Sequence, residues 1–163
     1  ALVVFKIAQT SNGRIGCGYL SCQESLIHTH KLRSVCTSML IGGNTVRTDR
    51  PSLDCRFIGS KAPDITIYSR SDDLDRDIPL FDISDRSVTI SDDLDFLNKP
   101  SFLLVEGGSG MINALKEYID MLLIYQTPKL SSHALSYSVD LNLDFSHQTS
   151  LGIDILMWTA LQK

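Results

Sequence analysis

The stretch FLLVEGGSGMINAL, from Phe102 to Leu115, constrains the fold more than any other part of the chain. Phe102 to Val105 are four apolar residues, too few for a helix and without the alternation of a half-exposed strand. They read as a strand buried on both faces. Glu106 ends that strand, and Gly107 and Gly108 allow a sharp turn or the close approach of a ligand. Ser109 can cap a helix whose apolar residues are Met111, Ile112 and Leu115. The unpaired N–H groups at such a helix start, with the positive end of the helix dipole, suit a phosphate. Glu106 cannot bind an anion, so its partner is a neutral donor, a proton in transit or a cation.

Leu2 to Ala8 form a second buried-type strand, interrupted by Lys6. A lysine there needs either a polar cleft at the strand end or a carboxylate partner. After a turn at Ser11 to Gly13 and the loop Gly16-Cys17-Gly18, Ser21 and Glu24 form a capping box, which predicts a helix to about Ser34 with a stripe of Cys22, Leu26, Thr29 and Arg33. Ser38 to Ile41 is a third strand, opening into Gly42-Gly43-Asn44-Thr45, with a short helix from Thr45 to Asp49 stopped by Pro51. Two strand-glycine-helix junctions are what an α/β fold offers a nucleotide, because ligands collect at the carboxyl ends of parallel strands. Arg47, Asp49, Arg50 and Arg56 crowd the next segment and predict an anion cleft with one acid in it. Ile65 to Tyr68 is a strand followed by Ser69-Arg70-Ser71, a trio suited to a 2′-phosphate. The acidic stretch Asp72 to Asp95 contains a strand-like piece, Ser87 to Ile90, and Met121 to Tyr125 is strand-like again. The end of the chain reads as a hairpin of Asp140 to Phe145 and Ile153 to Trp158.

With 163 residues, 43% of them hydrophobic, the chain is expected to form one domain with a sizeable core. A net charge of -4 argues against a broad nucleic-acid surface, so an anionic ligand must be held by local arginines and backbone amides. No apolar run is long enough to cross a membrane and no signal-peptide pattern opens the chain, which predicts a cytoplasmic protein. Cys17, Cys22, Cys36 and Cys55 form no C-x-x-C pair and are expected to be free thiols. His28 and His30 point to different faces of one helix, and His133 and His147 are isolated, so no metal site is expected.

The segments FKIAQTSNGRI, LRSVCTSMLIGGNTVRTDRPSLDCR and LLVEGGSGMINAL, followed by DMLLIYQTPKL, resemble in order the reductase domain of the bifunctional riboflavin biosynthesis deaminase/reductase. That family is similar in fold to dihydrofolate reductase. The resemblance implies an α/β fold with a central, mostly parallel mixed sheet flanked by helices and closed by a C-terminal antiparallel hairpin. It also implies NADPH-dependent reduction of a phosphorylated ribosylamino-pyrimidine to its ribitylamino product. Position by position, it assigns Arg33 and Arg56, with Leu53, to the substrate and its phosphate, and places Lys6, Asp49 and Glu106 around the ribose and pyrimidine. Thr45, Ser69, Arg70 and the turn of Gly107, Gly108, Ser109 and Gly110 would hold NADPH, with Ala8 against the nicotinamide. Glu106 and Asp49 are the acids beside glycine-rich strand ends, hence the candidates for handling a proton. The zinc deaminase signatures H-x-E and P-C-x-x-C are absent, so a deaminase domain is expected N-terminal to an excised reductase domain, with a homodimer as the family's usual assembly. Two other readings stay open at this point: a dihydrofolate-type reductase of another small molecule, and a non-catalytic nucleotide-binding module fused to a deaminase.

Overall fold

The structure is a computed structural model that describes residues 1–16 and 18–161; Cys17, expected as a free thiol in the glycine-spaced loop, lies outside the described residues. The elements in chain order are β1 (Leu2–Thr10), α1 (Gln23–Val35), β2 (Ser38–Gly42), α2 (Gly43–Asp49), β3 (Asp64–Tyr68), β4 (Val88–Ser91), a short 3₁₀ helix (Asp95–Asn98), β5 (Phe102–Glu106), α3 (Ser109–Leu115), β6 (Met121–Thr127), β7 (His147–Leu151) and β8 (Asp154–Ala160). The eight strands form one sheet in the order β4-β3-β2-β5-β1-β6-β8-β7. From β4 to β6 all neighbours are parallel, while β8 and β7 run antiparallel. The mostly parallel sheet closed by an antiparallel pair is the architecture the sequence implies.

The strands read as continuous apolar runs because each face of the sheet has its own core. Val4, Met39, Ile41, Ile65, Ile67, Leu104, Leu123 and Tyr125 pack on one face. Val3, Phe5, Ile7, Leu40, Leu103, Val105 and Ile124 pack on the other, against Met111, Ile112 and Leu115 of α3. Side chains alternate between faces along a strand. Lys6 therefore shares a face with Val4, and Glu106 with Leu104.

Three expected details differ. The helix α1 begins at Gln23 with Cys22 as its cap residue, and neither Ser21 nor Glu24 forms a capping box. The amide of Cys22 donates instead to Asp154 Oδ2 at 2.7 Å, from a buried carboxylate more than a hundred residues away that complements the positive end of the helix. In α3 the Ser109 hydroxyl is not a cap either, for it donates to the Ser136 carbonyl and accepts from the Ser138 amide, both at 2.9 Å, pinning a later segment onto the helix. The hairpin is β7 and β8, joined at Gly152 (φ 59), rather than Asp140 to Phe145 with Ile153 to Trp158. Leu141 and Leu143 alternate because an extended segment lays every second side chain on the core. β7 is polar and almost wholly exposed, so it carries no alternation to read.

Among the described residues no helix is long and apolar enough to cross a membrane.

Candidate active site

A cleft of about 1210 Å³ opens at the carboxyl ends of β1, β2, β3 and β5. It is walled by the segment around Leu53 to Phe57 on one side and by Leu135 to Tyr137 on the other. The volume exceeds the usual range for a single small ligand, roughly 300–1,000 Å³. Two ligands can therefore share it.

At its floor, Lys6 and Glu106 stand opposite each other in the register of β1 and β5, which is why the lone charge in each apolar strand finds the other. Lys6 Nζ lies 3.9 Å from Glu106 Oε2, and both side chains are 15% exposed. From α1, Arg33 donates through Nε to Glu106 Oε1 at 3.0 Å and through Nη2 to Oε2 at 3.2 Å, a two-pronged grip that fixes the carboxylate plane. Burial pushes the Glu106 pKa up, but the charges of Arg33 and Lys6 and the Arg33 hydrogen bonds outweigh it and hold the carboxyl below its ordinary range. Burial also dominates at Lys6, with Arg33 acting in the same direction; Glu106 opposes them, and the net pKa is lowered. The Lys6 ammonium lies 5.5 Å from the centroid of the Tyr125 ring, and the Tyr125 hydroxyl is paired with His28 Nδ1 at 2.6 Å.

The arginines expected to form a single anion cleft are distributed differently. Arg47 is bound to Asp73, Ser69 and Ser71, and Arg50 pairs with Asp75 at 2.6 Å, so the acidic stretch supplies counter-ions to both. Arg56 Nη1 binds both oxygens of Asp54, at 3.1 and 2.9 Å, and the Ser52 hydroxyl at 2.9 Å. Arg33 reaches the same turn, its Nη1 donating to the Asp54 carbonyl at 3.2 Å. Asp49 is exposed on α2, where it accepts from its neighbour Thr48 at 3.1 Å; it lines the cleft rim, apart from the Lys6, Glu106 and Arg33 cluster. Ala8, Thr45, Ser69 and Arg70 all line the cleft. Arg70 is exposed and its guanidinium makes no ion pair among the described residues.

The glycines divide into two kinds. A Cβ on Gly107 would fall 2.7 Å from Met111 Cγ, and one on Gly42 would fall 2.9 Å from the same atom, so these two are small to let α3 pack across the junctions. Gly43 is likewise closed off by Ser69, at 2.5 Å. At Gly108 the nearest atom is Ile15 Cδ1 at 4.0 Å, and at Gly110 there is open space, so this half of the turn leaves room for a ligand's phosphates.

The backbone strain at Leu53, and the parts played by Arg86, Tyr137 and His30, escaped the sequence reading. Leu53 is buried yet has φ 51, a conformation that costs a side-chain-bearing residue about 1–3 kcal/mol unless its surroundings impose it. Buried Arg86 imposes it, donating to the carbonyls of Leu53 at 2.9 Å, Ser52 at 2.5 Å and Leu80 at 2.6 Å. Tyr137 closes the glycine turn by donating to the Gly107 carbonyl at 2.7 Å. His30 lines the cleft between Arg33 and Phe57. Of the cysteines, Cys22, Cys36 and Cys55 are free, and burial pushes the Cys36 thiol up to about 12, so it is no nucleophile at neutral pH.

The family model described as RibD C-terminal domain matches residues 3–131. The riboflavin biosynthesis protein RibD of Synechocystis is 36% identical over 84 residues, covering 48% of this chain and 23% of that protein. The chloroplastic riboflavin biosynthesis protein PYRR of Arabidopsis thaliana is 30% identical over 92 residues, covering 53% of this chain and 15% of that protein. The matches thus span less than a quarter of the length of either curated relative. In fold, the chain is similar over 99% of its length to 56% of a diaminohydroxyphosphoribosylaminopyrimidine deaminase/5-amino-6-(5-phosphoribosylamino)uracil reductase from Thermotoga maritima, with a TM-score of 0.84 and 20% identity. It is similar over 99% of its length to 90% of the riboflavin biosynthesis reductase of Saccharomyces cerevisiae, with a TM-score of 0.65 and 20% identity.

Proposed function

The chain belongs to the RibD C-terminal domain family, and from that premise we propose that it is the reductase acting on 5-amino-6-(5-phosphoribosylamino)uracil, or on its 2,5-diamino-pyrimidinone analogue, with NADPH as reductant. The observation that carries this reading is the Lys6, Glu106 and Arg33 cluster at the floor of a cleft large enough for two ligands. Reduction of the ring-opened ribosylamine adds a hydride to the anomeric carbon and a proton to the attached nitrogen. NADPH, when bound, supplies the hydride. The residues present fit that cofactor: Gly108 and Gly110 leave space at a helix start, and Arg70 is a free cation beside Ser69 at the end of β3. Thr45, Ser69, Arg70 and the Gly107 to Gly110 turn would hold it, with Ala8 beside the nicotinamide.

The protein's own task is to orient the substrate and deliver the proton. Glu106, held ionised by two cations, is not the donor; it orients the substrate and keeps Lys6 in place. Lys6, whose pKa burial lowers, is the acid. Arg56, reinforced by Arg33 through the Asp54 turn, takes the phosphate, while Leu53 shapes the wall between phosphate and pyrimidine. Asp49 at the rim acts in orientation rather than in proton transfer. A deaminase domain joined to the N-terminal side, a homodimeric assembly and a cytoplasmic setting complete the reading. The test is the fall in NADPH absorbance on adding the phosphoribosylamino-pyrimidine to the purified chain. Wild-type turnover that Lys6→Met lowers by about 10²-fold or more, with NADPH binding kept, is the expected result. No wild-type turnover with either pyrimidine would refute the assignment.

A further inference from the structure

His30 is only 3% exposed, yet its ring lines the cleft. Its Nδ1 is sealed from solvent without a hydrogen-bond partner, 3.9 Å from Asp54 Oδ1, and its ring rests against Phe57 with centroids 4.5 Å apart. A buried polar nitrogen left unpaired is costly, so the charge nearest Nδ1, the Asp54 carboxylate, decides which ring nitrogen carries the proton. The groups facing the ring are Arg33 from the same helix, Asp54, Arg56 and Phe57 from the wall, and Glu106 from β5. Burial and the nearby Arg33 lower its pKa, so the ring is neutral near neutral pH and carries one proton. With the Asp54 carboxylate beside Nδ1, that proton belongs on Nδ1, since a lone pair there would face a negative charge. Nε2 then carries the lone pair, and on a ring that lines the cleft it is not among the nitrogens sealed from solvent.

From this geometry we infer that His30 is a specificity-determining residue that accepts a hydrogen bond through Nε2 from a hydroxyl of the substrate's sugar chain. The inference rests on the reductase reading above, and position gives it the sugar in particular. His30 lies within electrostatic reach of both Arg56, at the phosphate end, and Glu106, at the reacting end. What spans those ends in a phosphoribosyl substrate is the hydroxylated carbon chain.

Two measurements test it. Long-range ¹H–¹⁵N correlation on the ligand-free protein should show His30 as the Nδ1–H tautomer, and the Nε2–H tautomer would overturn the inference. In kinetics, kcat/KM for the ribosylamino substrate is compared with that for counterparts lacking one sugar hydroxyl. Wild type should penalise one of these deoxy compounds by about tenfold, the worth of a single hydrogen bond to a buried acceptor. His30→Phe, which keeps the ring against Phe57, should erase that penalty, and His30→Gln, which restores an acceptor, should bring back part of it. An equal penalty in wild type and His30→Phe overturns the His30 assignment alone. A wild type that turns over none of these compounds overturns the reductase reading and this inference with it.

Discussion

Replacing Glu106 by glutamine keeps the shape of the side chain and removes the one negative charge that two buried cations share. Arg33 and Lys6 are 12% and 15% exposed, and their nitrogens lie 2.9 and 3.9 Å from the carboxylate. Leaving buried cations uncompensated costs about 3–5 kcal/mol, and because the glutamine carbonyl can still accept from Arg33, the lower end applies. At about 3 kcal/mol, a chain of this size should lose roughly 6–12 °C in Tm near neutral pH, at about 2–4 °C per kcal/mol. The pH dependence separates charge from packing. The folded pKa of Glu106 is depressed, so its contribution is complete above the ordinary carboxyl value of 4.5 and is lost as pH falls through the lower folded value. Thermal unfolding followed by circular dichroism should therefore show a gap between wild type and Glu106→Gln that is full near pH 7 and narrows below about pH 4.5. A gap under about 2 °C at neutral pH, or one that keeps its size down to the acid limit of the fold, would refute the charge argument. The same variant should lose about 10²-fold in kcat with NADPH affinity little changed, because Lys6 loses its orienting partner.

Gly108→Val should fold normally, since its backbone is ordinary (φ -97) and only Ile15 stands within 4.0 Å, yet weaken NADPH about tenfold or more by fluorescence titration; Gly43→Ala should instead lose stability against Ser69. Arg70→Ala should narrow the preference for NADPH over NADH by about 1–3 kcal/mol, and equal weakening of both cofactors would show that Arg70 does not read the 2′-phosphate. Arg86→Met should cost about 2–4 kcal/mol in chemical unfolding and raise KM for the phosphorylated substrate, because the Leu53 conformation and the Arg56 turn lose their clamp; an unchanged KM would free that turn from any dependence on Arg86.

What the sequence made legible is local or doubled. The buried strands and the two glycine junctions are contiguous patterns, and the single charges in β1 and β5 pointed to a partner before the register supplied it. What stayed hidden is long-range. The cap of α1 comes from Asp154, β7 has no apolar pattern, and the clamp on Leu53 comes from an arginine inside an acidic stretch that looked uninformative. The count of charges then supports the proposal that Lys6, rather than Glu106, gives the proton. With all three groups ionised, Lys6, Arg33 and Glu106 carry one net positive charge in a largely buried cluster at the cleft floor, and burial acts against that excess. Proton release from Lys6 removes the excess and leaves the paired Arg33 and Glu106 in place. Proton uptake by Glu106 would raise it to two. The cluster is thus biased to give a proton to the cleft, which is what the proposed reduction requires for the nitrogen next to the carbon that takes the hydride.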